Sequence, residues 1–137
     1  MQKNSEEYIQ IYLVSFLKKL QAEQGFLFWH TPNGGSRDKR EAGKFKLMGM
    51  LAGVPDLIIL AKDRLHFVEL KKNMGGLSPA QKDFIGKADA LGFQTSTIFA
   101  DNVEDALYQL CQILEEVFFI PHQAMSKSSS AVLASLT

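Results

Sequence analysis

Asp56, Glu69 and Lys71 are residue types that together can act on a phosphate ester, and their spacing suggests that they meet. Gly53-Val54-Pro55-Asp56 enters one short apolar run, Glu69-Leu70-Lys71 closes the next, and Lys62-Asp63-Arg64 lies between them. A hairpin turning on Lys62 and Asp63 sets Ala61 opposite Arg64 and Asp56 opposite Glu69. Directly opposed residues share a sheet face, with Cβ atoms roughly 4.5–5.5 Å apart. Lys71, two positions beyond Glu69, points to the same side, while Leu57, Ile59, Phe67 and Leu70 are expected to pack elsewhere. A longer turn would slip the register by one residue and part the acids.

Two carboxylates pressed together in a half-buried place repel each other unless positive charge sits between them. A hard cation such as Mg²⁺ satisfies them, because it prefers oxygen ligands and keeps several waters. Such an ion polarises a phosphoryl oxygen and acidifies a bound water. Lys71 adds an ammonium where the attacked phosphate gathers negative charge, and can position the water. Glu6 is a further acid of interest: at helical spacing it lies with Ile9, Leu13 and Leu17, whereas Glu7 lies with Lys18. A carboxylate on an apolar stripe calls for a partner or a metal; the alternative is a first-turn acid favoured by the helix dipole. Gln10, one turn on, either shares that place or covers it.

These residues need elements to hold them. Ser5 is an N-cap for a helix reaching about Gln24, where Gly25 stops it, with Ile9, Leu13, Phe16, Leu17 and Leu20 as its apolar stripe. Phe26 to Trp29 reads as a strand, followed by the turn-rich Thr31-Pro32-Asn33-Gly34-Gly35-Ser36 and a charged, helix-compatible segment from Arg37 to Leu51. Asp56 to Ala61 and Leu65 to Leu70 are the hairpin strands. Ser78-Pro79-Ala80-Gln81 carries a Ser cap, a first-position Pro and a capping-box Gln. That helix ends near Leu91-Gly92, Gln94 to Phe99 forms a strand, and Asn102 opens a helix to about Glu116. The order α-β-(α)-β-β-α-β-α makes an α/β fold, a mixed four-stranded sheet flanked by helices with a parallel crossover after the hairpin. Residues 1–120 form one domain; residues 121–137, with Ser126-Lys127-Ser128-Ser129-Ser130, form a tail, either a flexible appendage or a docking piece. Val117-Phe118-Phe119-Ile120 reads as core packing after the last helix, with a dimer surface as the alternative.

Composition narrows the classes. The 137 residues, 46% hydrophobic, suit one globular domain. No run approaches the roughly 20 apolar residues of a membrane span, and the polar start lacks a secretory signal. Cys111 is the only cysteine, which fits a reducing compartment, and it reads as a small buried hydrophobe beside Leu107, Leu110 and Leu114. Net charge is zero, yet eleven cations against six acids between Ser36 and Lys87 leave +5, and residues 88–116 carry six acids and no base. A basic middle suits contact with a polyanion. Arg37, Lys39, Arg40, Lys44 and Lys46 are the candidate DNA backbone contacts, because phosphate binding needs cations without base specificity. His66 and His122 have no zinc-ligand spacing. His30 and Asn33 read as loop-shaping residues, and Trp29 as core rather than a stacking platform.

Asn33-Gly34-Gly35, Arg37, Arg40, Gly49, Gly53-Val54-Pro55-Asp56, Glu69-Leu70-Lys71, Gly75-Gly76-Leu77-Ser78-Pro79-Ala80-Gln81 and Gly92-Phe93-Gln94 stand here in that order. The set, over about residues 5 to 115, resembles the VRR-NUC (virus-type replication-repair nuclease) family of PD-(D/E)XK nucleases. The resemblance implies a restriction-endonuclease-like core. It implies metal ligands at Asp56 and Glu69 and at the Leu70 carbonyl, with Glu6 a further acidic member. Lys71 is implied as the catalytic lysine, and Gln81 as a helix Gln near the scissile phosphate. The length is similar to that of stand-alone phage and bacterial members, which act as dimers on branched DNA. The expectation is therefore a cytoplasmic, phage- or bacterium-encoded, Mg²⁺-dependent endonuclease for branched DNA such as Holliday junctions, with Mn²⁺ as a substitute ion, a homodimeric state and a DNA-repair setting. A nuclease of other selectivity (flap, exonuclease or restriction-type) and a catalytically silent DNA-binding module are the alternatives.

Overall fold

The computed structural model describes residues 1–32 and 39–136. Helix α1 spans Glu6–Gln21, and Ser5 caps it by accepting the Tyr8 N–H at 3.1 Å. Strand β1 is Phe26–His30, helix α2 Lys39–Leu47, strand β2 Leu57–Ala61 and strand β3 Arg64–Lys71. Helix α3 (Pro79–Ala90), strand β4 (Thr95–Phe99), helix α4 (Val103–Phe118) and helix α5 (His122–Ala134) complete the order. The first helix stops at Gln21, short of the expected Gln24, because Glu23 and Gln24 both donate back to the Leu20 carbonyl and close a turn before Gly25. The helix in the charged segment ends at Leu47, short of the expected Leu51, while Arg37 lies outside the described residues.

One mixed sheet runs in the order β1-β2-β3-β4, antiparallel except for β3 with β4. Ala61 pairs with Arg64 and Leu57 with Val68, the register of a two-residue turn at Lys62 and Asp63. Asp63 takes φ 63°, a left-handed conformation that Asp tolerates through its short polar side chain. Alternation then sorts the sheet into two faces. Phe26, Phe28, Leu57, Ile59, Val68, Leu70 and Ile98 face α1, α4 and α5 and make the core. Ile58, Phe67, Glu69, Lys71 and Thr97 lie on the outer face, where Phe84 of α3 meets Phe67 edge-on at 5.1 Å between ring centroids. Phe67 therefore stands with Glu69 rather than away from it, as any residue two positions before it must.

Two further expectations change. Trp29 is 41% exposed, because its pairing with Ile58 puts it on the outer face. Cys111 is only half-buried, although burial and the nearby Glu115 push its thiol up to about 11. Of the Val117–Ile120 run, Ile120 is buried and Phe119 exposed; Phe119 ends α4 in a left-handed conformation, with the Arg64 guanidinium 4.5 Å over its ring. His66 is buried on the inner side of β3: its Nε2 lies 2.7 Å from Ser96 Oγ, and burial lowers its pKa.

The last segment is α5, which packs against α1 and α4. Met125, Ser128 and Val132, at spacings of three and four, form its buried stripe. Its contribution is measurable. Met125→Ala should lower stability in urea by about 2–5 kcal/mol, as a buried methionine truncation does. Leu133→Ala, on the same helix but partly exposed, should change it by about 0.5 kcal/mol. Equal effects would mean that the stripe is not packed.

Candidate active site

Continued one step beyond Leu57 and Val68, the register brings Asp56 against Glu69 at the open end of the hairpin. The two side chains share a hydrogen bond, and Glu69 is 3% exposed. Burial first, then that bond and the charge of Asp56, raise the Glu69 pKa from 4.5 to about 9, with Glu6 adding a smaller push and Lys71 opposing it. Glu69 is thus a neutral acid in the metal-free protein at ordinary pH. Lys71 stands on the same face, two residues on.

Asp56 is held from three sides. Its Oδ2 accepts the Leu70 N–H at 2.8 Å. Its carbonyl oxygen accepts the Thr31 N–H at 3.1 Å and lies 2.7 Å from His30 Nδ1. Leu70 thus touches the site through its backbone N–H. The same register sets Leu70 against Pro55, which has no N–H to give the Leu70 carbonyl.

Glu6 is exposed at the start of α1, and its Oε1 accepts the Lys72 N–H at 3.3 Å. Beyond the core rim, its carboxylate meets a strand end instead of the apolar stripe. Among the described residues, no three His, Cys, Asp or Glu side chains converge as a ligand set. The structure brings together the Asp56–Glu69 pair, with Glu6 beside it. A small group fixes that neighbourhood, and nothing in the sequence pattern pointed to it. Lys72 Nζ donates to the Asn4 carbonyl at 2.6 Å and sits 3.6 Å from Asp101 Oδ1. Asn73 donates to both Asp101 oxygens, each at 3.0 Å, and these bonds with Lys72 hold the Asp101 pKa below its ordinary value. The start of α1, the end of β3 and the loop before α4 are therefore tied in one knot.

Gln81 completes the capping box of α3: its Oε1 accepts the Ser78 N–H at 2.8 Å, and its own N–H donates to Ser78 Oγ at 3.1 Å. Gly53 explains why this turn lies beside Asp56. With φ +83°, it packs so closely on α3 that an added Cβ would collide with the Ala80 carbonyl and come 2.8 Å from the Gln81 nitrogen. Only glycine permits that approach. Lys39, Arg40, Lys44 and Lys46 project from α2, all exposed, with no buried residue on that helix. Arg37 and Asn33 lie outside the described residues.

The donor set fits a divalent oxygen-seeking ion. A paired Asp and Glu, the Glu held neutral by burial first and by its carboxylate neighbour second, have the composition such an ion favours. The Leu70 carbonyl, facing a residue without a donor, suits the same role.

No family model matches the chain, and no curated protein matches it. Among solved structures, a VRR_NUC domain protein is similar to it, 24% identical, with a TM-score of 0.58, over 84% of this chain and 92% of that one. That likeness establishes the fold: a restriction-endonuclease-like α/β arrangement, here a four-stranded mixed sheet with five helices.

The raised Glu69 pKa fixes a pH dependence. Protonated Glu69 favours the folded state, an advantage complete below pH 4.5 and lost as pH climbs toward about 9. Without metal, stability should fall across that window with a slope approaching about 1.4 kcal/mol per pH unit. Glu69→Gln should flatten the slope. Thermal melting in chelator across pH checks this, and parallel curves for both proteins would contradict the neutral acid.

Proposed function

We propose that this chain is a metal-dependent deoxyribonuclease that hydrolyses phosphodiester bonds in branched DNA, Holliday junctions included. The observation that carries the reading is the Asp56–Glu69 pair on one face with Lys71. Asp56, Glu69 and the Leu70 carbonyl hold the ion, with Mg²⁺ or Mn²⁺ as candidates and Glu6 next to them. The ion supplies a polarised phosphoryl oxygen and an acidified water. Lys71 sets its ammonium against the non-bridging oxygens as charge builds on the phosphorus. Gln81, on the turn packed against Gly53, lies where it can meet the flanking phosphate. Water adds to phosphorus, the bond to the leaving oxygen breaks, and that oxygen takes a proton. Lys39, Arg40, Lys44 and Lys46, with Arg37, bind the DNA backbone without reading sequence. The fold of the VRR_NUC domain protein supports a nuclease, and the +5 middle segment supports a polyanionic substrate.

Purified protein given labelled junction, flap, linear duplex and single-stranded DNA should cut the junction best, and only with Mg²⁺ or Mn²⁺. Asp56→Ala should reduce cutting on the order of 100-fold or more, as loss of metal-site groups does, and Lys71→Ala by about 100- to 1000-fold. Metal-independent cutting, or full activity in Asp56→Ala, would overturn the metal assignment; tight binding without cleavage of any substrate would leave a DNA-binding module.

A two-fold protein suits a two-fold junction, so a homodimer is part of the same proposal. Light scattering at working concentrations should give twice the mass of one chain, 15.3 kDa. A single-chain mass would remove the dimer without touching the chemistry.

A further inference from the structure

Among the described residues, α3 covers one half of the sheet's outer face. Over β3 and β4 lies α3, through Phe84 on Phe67, and its first turn is pressed on Gly53. Over β1 and β2, among the described residues, the rim of that face is exposed, Leu27 at 61%, Trp29 at 41% and Leu60 at 37%, while Ile58 between Trp29 and the acids is buried. The acid pair stands at the border between the two halves. Trp29 is opposite Ile58, and Ile58 is two residues from Asp56 on the same face. Strand geometry then places Trp29 about 8 Å from Asp56, backbone to backbone. The two residues after Trp29 both bond the Asp56 carbonyl, His30 through Nδ1 at 2.7 Å and Thr31 through its N–H at 3.1 Å. The backbone that carries the indole is thus tied to Asp56 just beyond it.

We infer that Trp29 is a stacking platform for an unpaired base next to the cleaved phosphodiester. The inference rests on the nuclease reading and deepens it by naming what selects the substrate. A strand whose phosphate sits on Asp56 and Glu69 meets α3 on one side, so it leaves across β2 and β1, where the indole waits. A stacked base must be free of its own helix, so Trp29 favours DNA with unpaired bases over a continuous duplex. Aromatic faces accept every base, and the preference is for structure rather than sequence. A second copy of the chain is the poorer occupant: Leu27, Trp29 and Leu60 fall far short of the roughly 20–30 residues a side of a stable interface.

Trp29 is the single tryptophan of the chain, so its fluorescence reports on this place alone. In chelator, where nothing is cut, single-stranded DNA and duplex with an unpaired branch point should quench the emission saturably, and blunt duplex much less. Trp29→Ala should bind unpaired DNA roughly tenfold more weakly, the loss of one stack, and blunt duplex nearly unchanged. Trp29→Phe should recover most of the loss. With metal, Trp29→Ala should raise KM for unpaired DNA while kcat stays close to that of the original protein.

Binding seen by anisotropy of labelled DNA without a change in emission would overturn the inference. So would a Trp29→Ala protein that cuts and discriminates like the original, while the nuclease reading stood. Emission that follows protein concentration and ignores DNA would assign the residue to self-association and likewise overturn it. If the original protein neither bound nor cut any DNA, the nuclease reading itself would fall, and the stacking role with it.

Discussion

The constraint on which this structure depends is the forced meeting of Asp56 and Glu69. Apart in water, both would be ionised, and nothing in their local chemistry draws them together. The ladder from Ala61 and Arg64 to Leu57 and Val68 does so, because every pair in it is fixed by a turn of two residues. Burial then makes a second negative charge so costly that Glu69 keeps its proton up to about pH 9. A buried acid beside a second carboxylate is a place that favours added positive charge. Lys71 supplies part of that charge; a divalent ion would supply the rest.

The pair could escape by splaying, and much of the surrounding structure prevents this. On the inner face, a core reaching from Ile9 and Phe16 of α1 to Leu110 and Leu114 of α4 locks the alternate residues of β2 and β3. At the edge, His30 and Thr31 hold the Asp56 backbone. Beyond the end of β3, Lys72 and Asn73 are tied to Asp101 and to the turn before α1. Gly53 lets α3 close in from the other side. Each tie is modest alone, since a single hydrogen bond contributes about 1 kcal/mol net. Together they leave the carboxylates no free direction.

How much of this was legible in the sequence follows from how local each determinant is. The hairpin register rests on Lys62 and Asp63 alone and could be read directly. The caps at Ser5, Ser78 and Asn102 are contained within a few residues each and were equally plain. The last helix was not. Its serines favour turns and caps by competing for backbone bonds, so the run reads as a linker, and only α1 and α4 supply the apolar surface that Met125 and Val132 bury. Trp29 misleads for a similar reason. Phe26-Leu27-Phe28-Trp29 has no polar alternation, so the strand carries no sign of which residues face outward until Ile58 fixes the pairing. The Asp101 knot joins residues from three distant stretches, and no spacing announces such a meeting. Within the site, the two acids and the lysine share one hairpin and were legible; the position of Glu6, set by Lys72 more than sixty residues away, was not.

In the proposed reading, the cations of α2 serve the site for a topological reason. No residue of that helix is buried, so packing does not tell where it should stand. The chain that carries it nevertheless leaves the sheet after His30 and returns at Asp56, and both ends are bonded at the Asp56 carbonyl. The segment is a closed loop whose neck is the contact of His30 and Thr31 with Asp56. In the proposed reading, Lys39, Arg40, Lys44 and Lys46 stay tethered near the place where a phosphate would be neutralised, because loop closure of this kind confines charge. The bond between Thr31 and Asp56 is where that charged segment joins the carboxylates fixed in the sheet.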